Sequence, residues 1–288
     1  MLRLVLAVAA ASCLLASPKS KGAPVLMPSD EVFAPLPVVP VVVFGQGGRL
    51  TADEFARRNG LDAREIIRRH RASGLIQCGN ARGAGQLTLA DNVITTAAHV
   101  FFDERGKLRG DNAHCAFTLA IAGQISSTQI DVASIVTGGA DPYTDSPVHD
   151  WAVARLARPA EGASPYWIGA PPQSGAAIEF AARGHADWGE ASALSLQDCS
   201  LREMLAGGSD GAREFSFDCD AGPGASGGAL LDASSQRLVA IFVGYRSRYP
   251  SEAAPFSPQH YNFAVTLEGA FRRAVETMAG AAATASAR

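Results

Sequence analysis

From Leu75 onward the chain runs in short apolar stretches, each broken by glycine, proline, asparagine or aspartate. The segments "GLIQCG", "GQLTLADNVITTAAH", "HCAFTLAIAG", "QIDVASIV", "DWAVARLA", "AAIEFAARG", "SALSLQDC", "EFSFDCD", "GGALLD", "RLVAIFVGY" and "YNFAVTL" follow one another at strand-like spacing. Runs of this length bounded by turn residues predict β-strands, and so many of them predict an all-β sandwich or a pair of barrels. Helical periodicity returns only in "LEGAFRRAVETMA", which predicts a C-terminal helix. The last ten residues, 279–288, are expected to form a disordered tail.

The segment ahead of the strands reads differently. Residues 24–48, rich in proline and valine, are expected to form an extended arm. "TADEFARRNGLDAREIIRRHRASG" then offers two helix starts, Thr51 with Glu54 and Asp62 with Glu65, each spaced as a capping box. Ile66 and Ile67 among arginines make the second piece amphipathic, with a solvated basic face. Residues 18–74 are thus read as an N-terminal extension or propeptide.

The first 17 residues have the order of a secretory signal peptide: one arginine, an apolar run from Leu4 to Ala16, then small residues and a proline. That run is too short for a comfortable membrane span. The expectation is a secreted or periplasmic protein, with lipid anchoring at Cys13 as the lesser alternative. Beyond the leader four cysteines remain: Cys78, Cys115, Cys199 and Cys219. An even number in an exported chain predicts two disulfides, although sequence alone permits three pairings. The sequential pairing, 78 with 115 and 199 with 219, closes one loop in each half and is the one expected. Zinc is the competing use of four cysteines, but no CxxC or CxxH spacing occurs, so no metal is expected. The net charge of −3 gives no footprint for nucleic acid or an anionic membrane.

Candidate chemistry concentrates in "DAGPGASGGALLD", residues 220–232, where glycines surround Ser226. A tight turn is the plain explanation; the sharper one is that a substrate must reach this backbone and meet its N–H groups. The pattern Gly-x-Ser-x-Gly also occurs in α/β-hydrolases, but there the acid and histidine follow the serine. Here only 62 residues follow Ser226, with His260 the sole histidine among them. His99 in "NVITTAAHVF" and Asp150 in "VHDWAVARL" precede it instead, giving the order His, Asp, Ser. Taken singly, His99 reads as a core histidine and Asp150 as a turn residue.

With these three in order, the chain resembles the trypsin/chymotrypsin-like serine proteases, closest to their bacterial trypsin-like and glutamyl-endopeptidase branches. "TAAH" is similar to the family's histidine motif, "DWAVARL" to its aspartate strand and "GASGG" to its nucleophile loop; "YNFAVTL" and "LEGAFRRAVETM" resemble the last strand and closing helix of the bacterial branch. The resemblance covers about residues 75–278. It implies two six-stranded antiparallel β-barrels carrying the C-terminal helix, a triad of His99, Asp150 and Ser226, and an oxyanion hole from the N–H groups of Gly224 and Ser226. It implies a protein or peptide substrate, and no cofactor. Asp220, six residues before Ser226, matches the acidic residue at the base of a trypsin pocket, which would favour cleavage after arginine or lysine; Arg246 and Arg248 are candidates to neutralise it. Ala225 stands where animal trypsins carry the aspartate that binds the new N-terminus, so activation through that ion pair is not expected. The rivals are a catalytically inactive protease-like binding module and an exported structural or adhesion domain.

Overall fold

A computed structural model describes Phe44 and residues 47–286, apart from 122–123, 187, 189, 191 and 249–252. The leader, Cys13 and most of the proline-rich arm lie outside the described residues. Two helices open the described chain. α1 (Ala52–Asn59) begins with the expected capping box: Thr51 accepts from the Glu54 N–H while the Glu54 carboxylate accepts from the Thr51 N–H. α2 (Ala63–Arg69) has the Asp62 cap without the box, because Glu65 turns instead to Arg68, one turn along the helix.

Twelve strands follow. β1 (Ser73–Cys78), β2 (Ala81–Leu87), β3 (Val93–Thr96), β4 (Cys115–Ile121), β5 (Gln124–Thr137) and β6 (Ala152–Leu156) close one antiparallel barrel in the order β1-β2-β3-β6-β5-β4. β7 (Ala177–Ala182), β8 (Ser195–Gly207), β9 (Arg213–Phe217), β10 (Ala229–Asp232), β11 (Leu238–Ser247) and β12 (His260–Thr266) close a second, in the order β10-β11-β12-β9-β8-β7. Closure removes the exposed sheet edges that so many short strands would otherwise present. The fold is the expected chymotrypsin-like pair of barrels.

Each barrel is filled by the residues that alternate inward. In the second, Phe180, Phe217 and Phe242 meet edge to face at centroid separations of 5.6–5.8 Å. The first buries Ile76, Leu87, Ile94, Phe117 and Val153, and Trp151, just ahead of β6, stacks on Phe271 of α3 (Gly269–Ser286) at 4.7 Å. That contact fixes the C-terminal helix against the strand that begins beside Asp150. α3 runs through Ser286, so the tail expected to be disordered is helical over most of its length. "AGAAATAS" is dominated by alanine, the best helix former; Ala282 is buried and Ala279 packs against the core.

The helical extension is tied into both barrels by a buried polar cluster. His70 Nε2 lies 2.5 Å from a Glu179 carboxylate oxygen on β7, and His70 Nδ1 lies 2.8 Å from the Tyr166 hydroxyl. Tyr166 also meets Ser73 Oγ at 3.0 Å, and Arg183 Nε donates to the Ser73 carbonyl. Burial pushes the Tyr166 phenol up and holds the Arg183 guanidinium down at about 10.

Two disulfides join Cys78 to Cys115 and Cys199 to Cys219, the sequential pairing. The first bridges facing residues of β1 and β4; the second ties β8 to the segment that leads into the serine loop. The closed loops span 37 and 20 residues. Replacing either pair with alanines is expected to lower the unfolding free energy by about 3–4 kcal/mol, measured by denaturant titration. An unchanged midpoint and slope would show that the bridge adds nothing.

Candidate active site

β3 carries the chain out of the first barrel at Thr96 and into a tight 3-10 turn, Ala98–Val100. The turn presents His99, and Asp150 closes a second 3-10 turn just ahead of β6. β3 and β6 are hydrogen-bonded neighbours, which is why residues 51 positions apart in sequence meet. Asp150 Oδ1 accepts from the His99 backbone N–H at 2.9 Å, and Oδ2 accepts from His99 Nδ1 at 2.7 Å. Both side chains are buried. An ionised carboxylate only accepts, so Nδ1 carries a proton, and in the neutral ring Nε2 then keeps its lone pair. His99 Nε2 is buried and has no protein partner among the described residues.

The backbone of this turn is held from below. Arg109 Nε donates to the carbonyls of Phe102 (2.9 Å) and His99 (3.3 Å), and Arg109 Nη2 donates to the Tyr143 hydroxyl at 2.7 Å. Burial pushes the Tyr143 phenol up, while Arg109 draws it the other way. Neither Arg109 nor Tyr143 is marked by any motif in the sequence.

Ser226 lies on the loop between β9 and β10, half-buried. Pro223 and Gly224 form the corner of a type II turn, with the Ala225 N–H donating to the Gly222 carbonyl at 3.0 Å and Gly224 at φ +88°. The loop packs backbone to backbone on the first barrel: the Ser226 carbonyl accepts from the Ala84 N–H at 2.8 Å. A Cβ on Gly227 would fall 2.1 Å from Thr96 Oγ1 and 2.3 Å from the Ala84 carbonyl. Glycine is required there because the serine loop touches the strand that delivers His99. The N–H groups of the loop can be accounted for one by one. Ala225 donates to Gly222, Gly227 to Phe242 and Gly228 to Ala225. Among the described residues, those of Gly224 and Ser226 have no protein acceptor. A cleft of about 210 Å³, lined by Gln77, Asn80, Arg82, Gly184, Pro223 and Gly224 among others, opens beside them.

Asp220 is buried at the base of the same loop. Its backbone is clamped by the Gln197 amide, which accepts from the Asp220 N–H at 2.8 Å and donates to its carbonyl at 2.6 Å. Its two carboxylate oxygens accept from the backbone N–H groups of Phe44 and Gly48, which lie directly on it. The Phe44 ring meets the edges of Phe256 and His260. Arg246 pairs with buried Glu214 on β9 and lies 4.3 Å over the Phe263 ring, so it does not serve as the neutraliser of Asp220. Ala225 is buried and offers no carboxylate for an incoming N-terminus. The histidine–serine contacts present among the described residues lie in the second barrel, His185 Nε2 to Ser195 Oγ and His260 Nδ1 to Ser247 Oγ, each at 2.7 Å, and no motif in the sequence marks either.

Two barrels with such a loop between them define the class. The family profile described as a trypsin-like peptidase domain matches residues 83–241, over half of the chain, and the chain belongs to that family. Among solved structures it is similar to a Glu endopeptidase in complex with MPD, at 16% identity and TM-score 0.63, covering 83% of this chain and 100% of the other. It is similar to neuropsin, a serine protease of mouse brain, at 14% identity and TM-score 0.50, covering 68% and 89%. It is also similar to an inactivated protease paralogue of the scabies mite, at 11% identity and TM-score 0.53, covering 74% and 95%. At these identities the likeness is one of fold, and it extends to a protein described as inactivated. No curated protein matches the chain at a significant level.

Proposed function

We propose that this protein is an exported serine endopeptidase in which His99, Asp150 and Ser226 form the catalytic triad. The observation that carries the reading is the two-point hold of Asp150 on His99, which directs Nδ1–H to the carboxylate and leaves Nε2 without a protein partner among the described residues, at the end of the strand on which the Ser226 loop packs. A serine hydroxyl is a weak nucleophile until a base takes its proton. His99 Nε2 takes that proton as Ser226 Oγ bonds to the scissile carbonyl carbon, and Asp150 stabilises the imidazolium that forms. The carbonyl electron pair moves onto oxygen, and the N–H groups of Gly224 and Ser226 receive the oxyanion. Collapse of the tetrahedral adduct expels the amine, which takes the proton from His99 and leaves an acyl-Ser226 ester. Water then enters by the same steps in reverse and releases the acid.

Export is supported by the two disulfides, which an oxidising compartment preserves, and by the signal-like leader. Cleavage of a peptide library by the mature protein, with Ser226→Ala as control, tests the activity. Products absent from the control support it; no cleavage by either protein makes the chain a protease-like binding module.

For Asp220, the two backbone N–H groups on its carboxylate support a role as anchor of the arm rather than as reader of a substrate cation. Asp220→Asn is accordingly expected to leave the ratio of kcat/KM for arginyl over alanyl peptides unchanged. It should lower the unfolding free energy by about 1–3 kcal/mol, because a part-buried backbone N–H loses a charged acceptor. A collapse of that ratio would instead place Asp220 in the specificity pocket and make arginine and lysine the preferred residues.

A further inference from the structure

We infer that His185 is a positioning residue that holds the serine loop in the shape its oxyanion donors require, an inference that rests on the peptidase reading of Ser226. His185 follows β7 in the loop that faces residues 222–224 and is fully buried. Its Nδ1 receives the Gly222 N–H at 2.9 Å, and the Arg49 guanidinium lies 3.3 Å from the same atom. A backbone amide and an arginine can only donate, so Nδ1 is the acceptor and Nε2 bears the proton. Nε2–H then donates to Ser195 Oγ at 2.7 Å, and Ser195 passes its own hydroxyl hydrogen toward the Ala182 carbonyl at 3.3 Å.

That polarity is the reverse of a base-activated serine. In His99 the nitrogen turned away from the carboxylate is a bare acceptor; in His185 the nitrogen turned toward Ser195 is a donor and cannot take its proton. Ser195 is fully buried in β8 besides. The His185–Ser195 pair is thus a brace, and what it braces is the loop on the other side of the ring.

Three contacts from residues 184–186 grip residues 222–224. His185 takes the Gly222 N–H, the Ala186 N–H donates to the Pro223 carbonyl at 2.7 Å, and Gly184 lies flat against Gly224. A Cβ on Gly224 would come within 2.1 Å of the Gly184 carbonyl, and one on Gly184 within 2.5 Å of the Gly224 carbonyl. Gly222 is the first residue of the type II turn, and Gly224, two residues on, carries one of the two uncommitted N–H groups. Without an acceptor at Nδ1 the buried Gly222 N–H has to find another, and any rotation that finds one re-aims the Gly224 N–H. The cost falls on the tetrahedral state and not on ground-state substrate binding, since the oxyanion exists only in the former.

The variants His185→Leu and His185→Asn separate the brace from mere bulk. Leucine fills the site with no acceptor, whereas the asparagine oxygen comes near the place of Nδ1. In His185→Leu, kcat is expected to fall about 100-fold with KM within about twofold, the scale of one lost oxyanion donor. Affinity for a peptide aldehyde, which adds Ser226 Oγ to its carbonyl carbon, should fall by a similar factor. His185→Asn should recover kcat to within about fivefold of wild type. Wild-type kcat in His185→Leu, equal loss in both variants, or a loss confined to KM would overturn the inference. If His185→Leu does not fold, the ring nitrogen shifts of His185 in the unmodified protein decide: the Nε2–H tautomer is expected, and the Nδ1–H tautomer refutes the brace. A wild-type chain whose Ser226 proves unreactive would remove the peptidase reading itself, and with it the reaction His185 serves; a reactive Ser226 beside an unimpaired His185→Leu removes His185 alone.

Discussion

Ser226→Ala is expected to lower peptide turnover by about 10⁴-fold or more while the protein folds as before. The two halves of this result have separate causes. Turnover is lost because the alanine methyl cannot form the acyl ester, leaving only binding and the oxyanion donors to act on water. Folding persists because Ser226 is half-buried and, among the described residues, its Oγ makes no protein hydrogen bond, His99 Nε2 included. The packing of the loop comes from its backbone, through the Ala84 N–H and the Gly227 contact, and the substitution leaves both intact. The stability change should stay within about 0.5 kcal/mol. Turnover close to wild type would mean that the hydrolysis observed runs elsewhere on the chain or in a contaminant.

Asp150→Asn is expected to cost about 10⁴-fold in kcat through the tautomer of His99. Aspartate accepts twice, from the His99 backbone N–H and from Nδ1–H. Asparagine has one acceptor and one donor. With its oxygen on the backbone N–H, its amide faces Nδ1 and requires that nitrogen to accept, so the ring proton moves to Nε2. The base then presents a hydrogen to the serine where it needs a lone pair. Kinetics and the ring nitrogen shifts of His99 should change together: low kcat with an Nε2–H ring. A slow enzyme whose ring keeps the Nδ1–H tautomer would place the defect elsewhere.

What the sequence could disclose depended on how local the cause was. The alternation and punctuation of "DWAVARL", "EFSFDCD" and "YNFAVTL" are properties of the strands themselves, and all three strands are present. The order His99, Asp150, Ser226 was readable because each sits in a distinctive local context, and the β3–β6 pairing then joins the first two. The "GPGA" of residues 222–225 spells out its own turn, with proline and glycine at the two corner positions. Other features have causes distant in sequence. Asp220 receives the N–H groups of Phe44 and Gly48, 176 and 172 positions away, and no pattern in the sequence points from either to it. Arg109 and Tyr143 act on His99 through side-chain reach across loops, and His185 through its ring tautomer; no periodicity records either. Arg246 was readable as a cation near the loop, but its partner Glu214 is fixed by how β9 and β11 flank β12. Low complexity in the tail reads as disorder, whereas alanine's helix preference and the packing of Ala279 on the core carry α3 through Ser286.

The central claim is that Ser226 is a nucleophile activated by His99, and covalent labelling tests it most directly. The mature protein would be treated with a fluorophosphonate, digested, and the modified residue located by mass spectrometry. The phosphorus should bond to Ser226 Oγ with loss of fluoride, and the labelling should vanish in Ser226→Ala and slow by orders of magnitude in His99→Ala. Label on another serine, Ser195 included, or an equal rate with and without His99, would contradict the account.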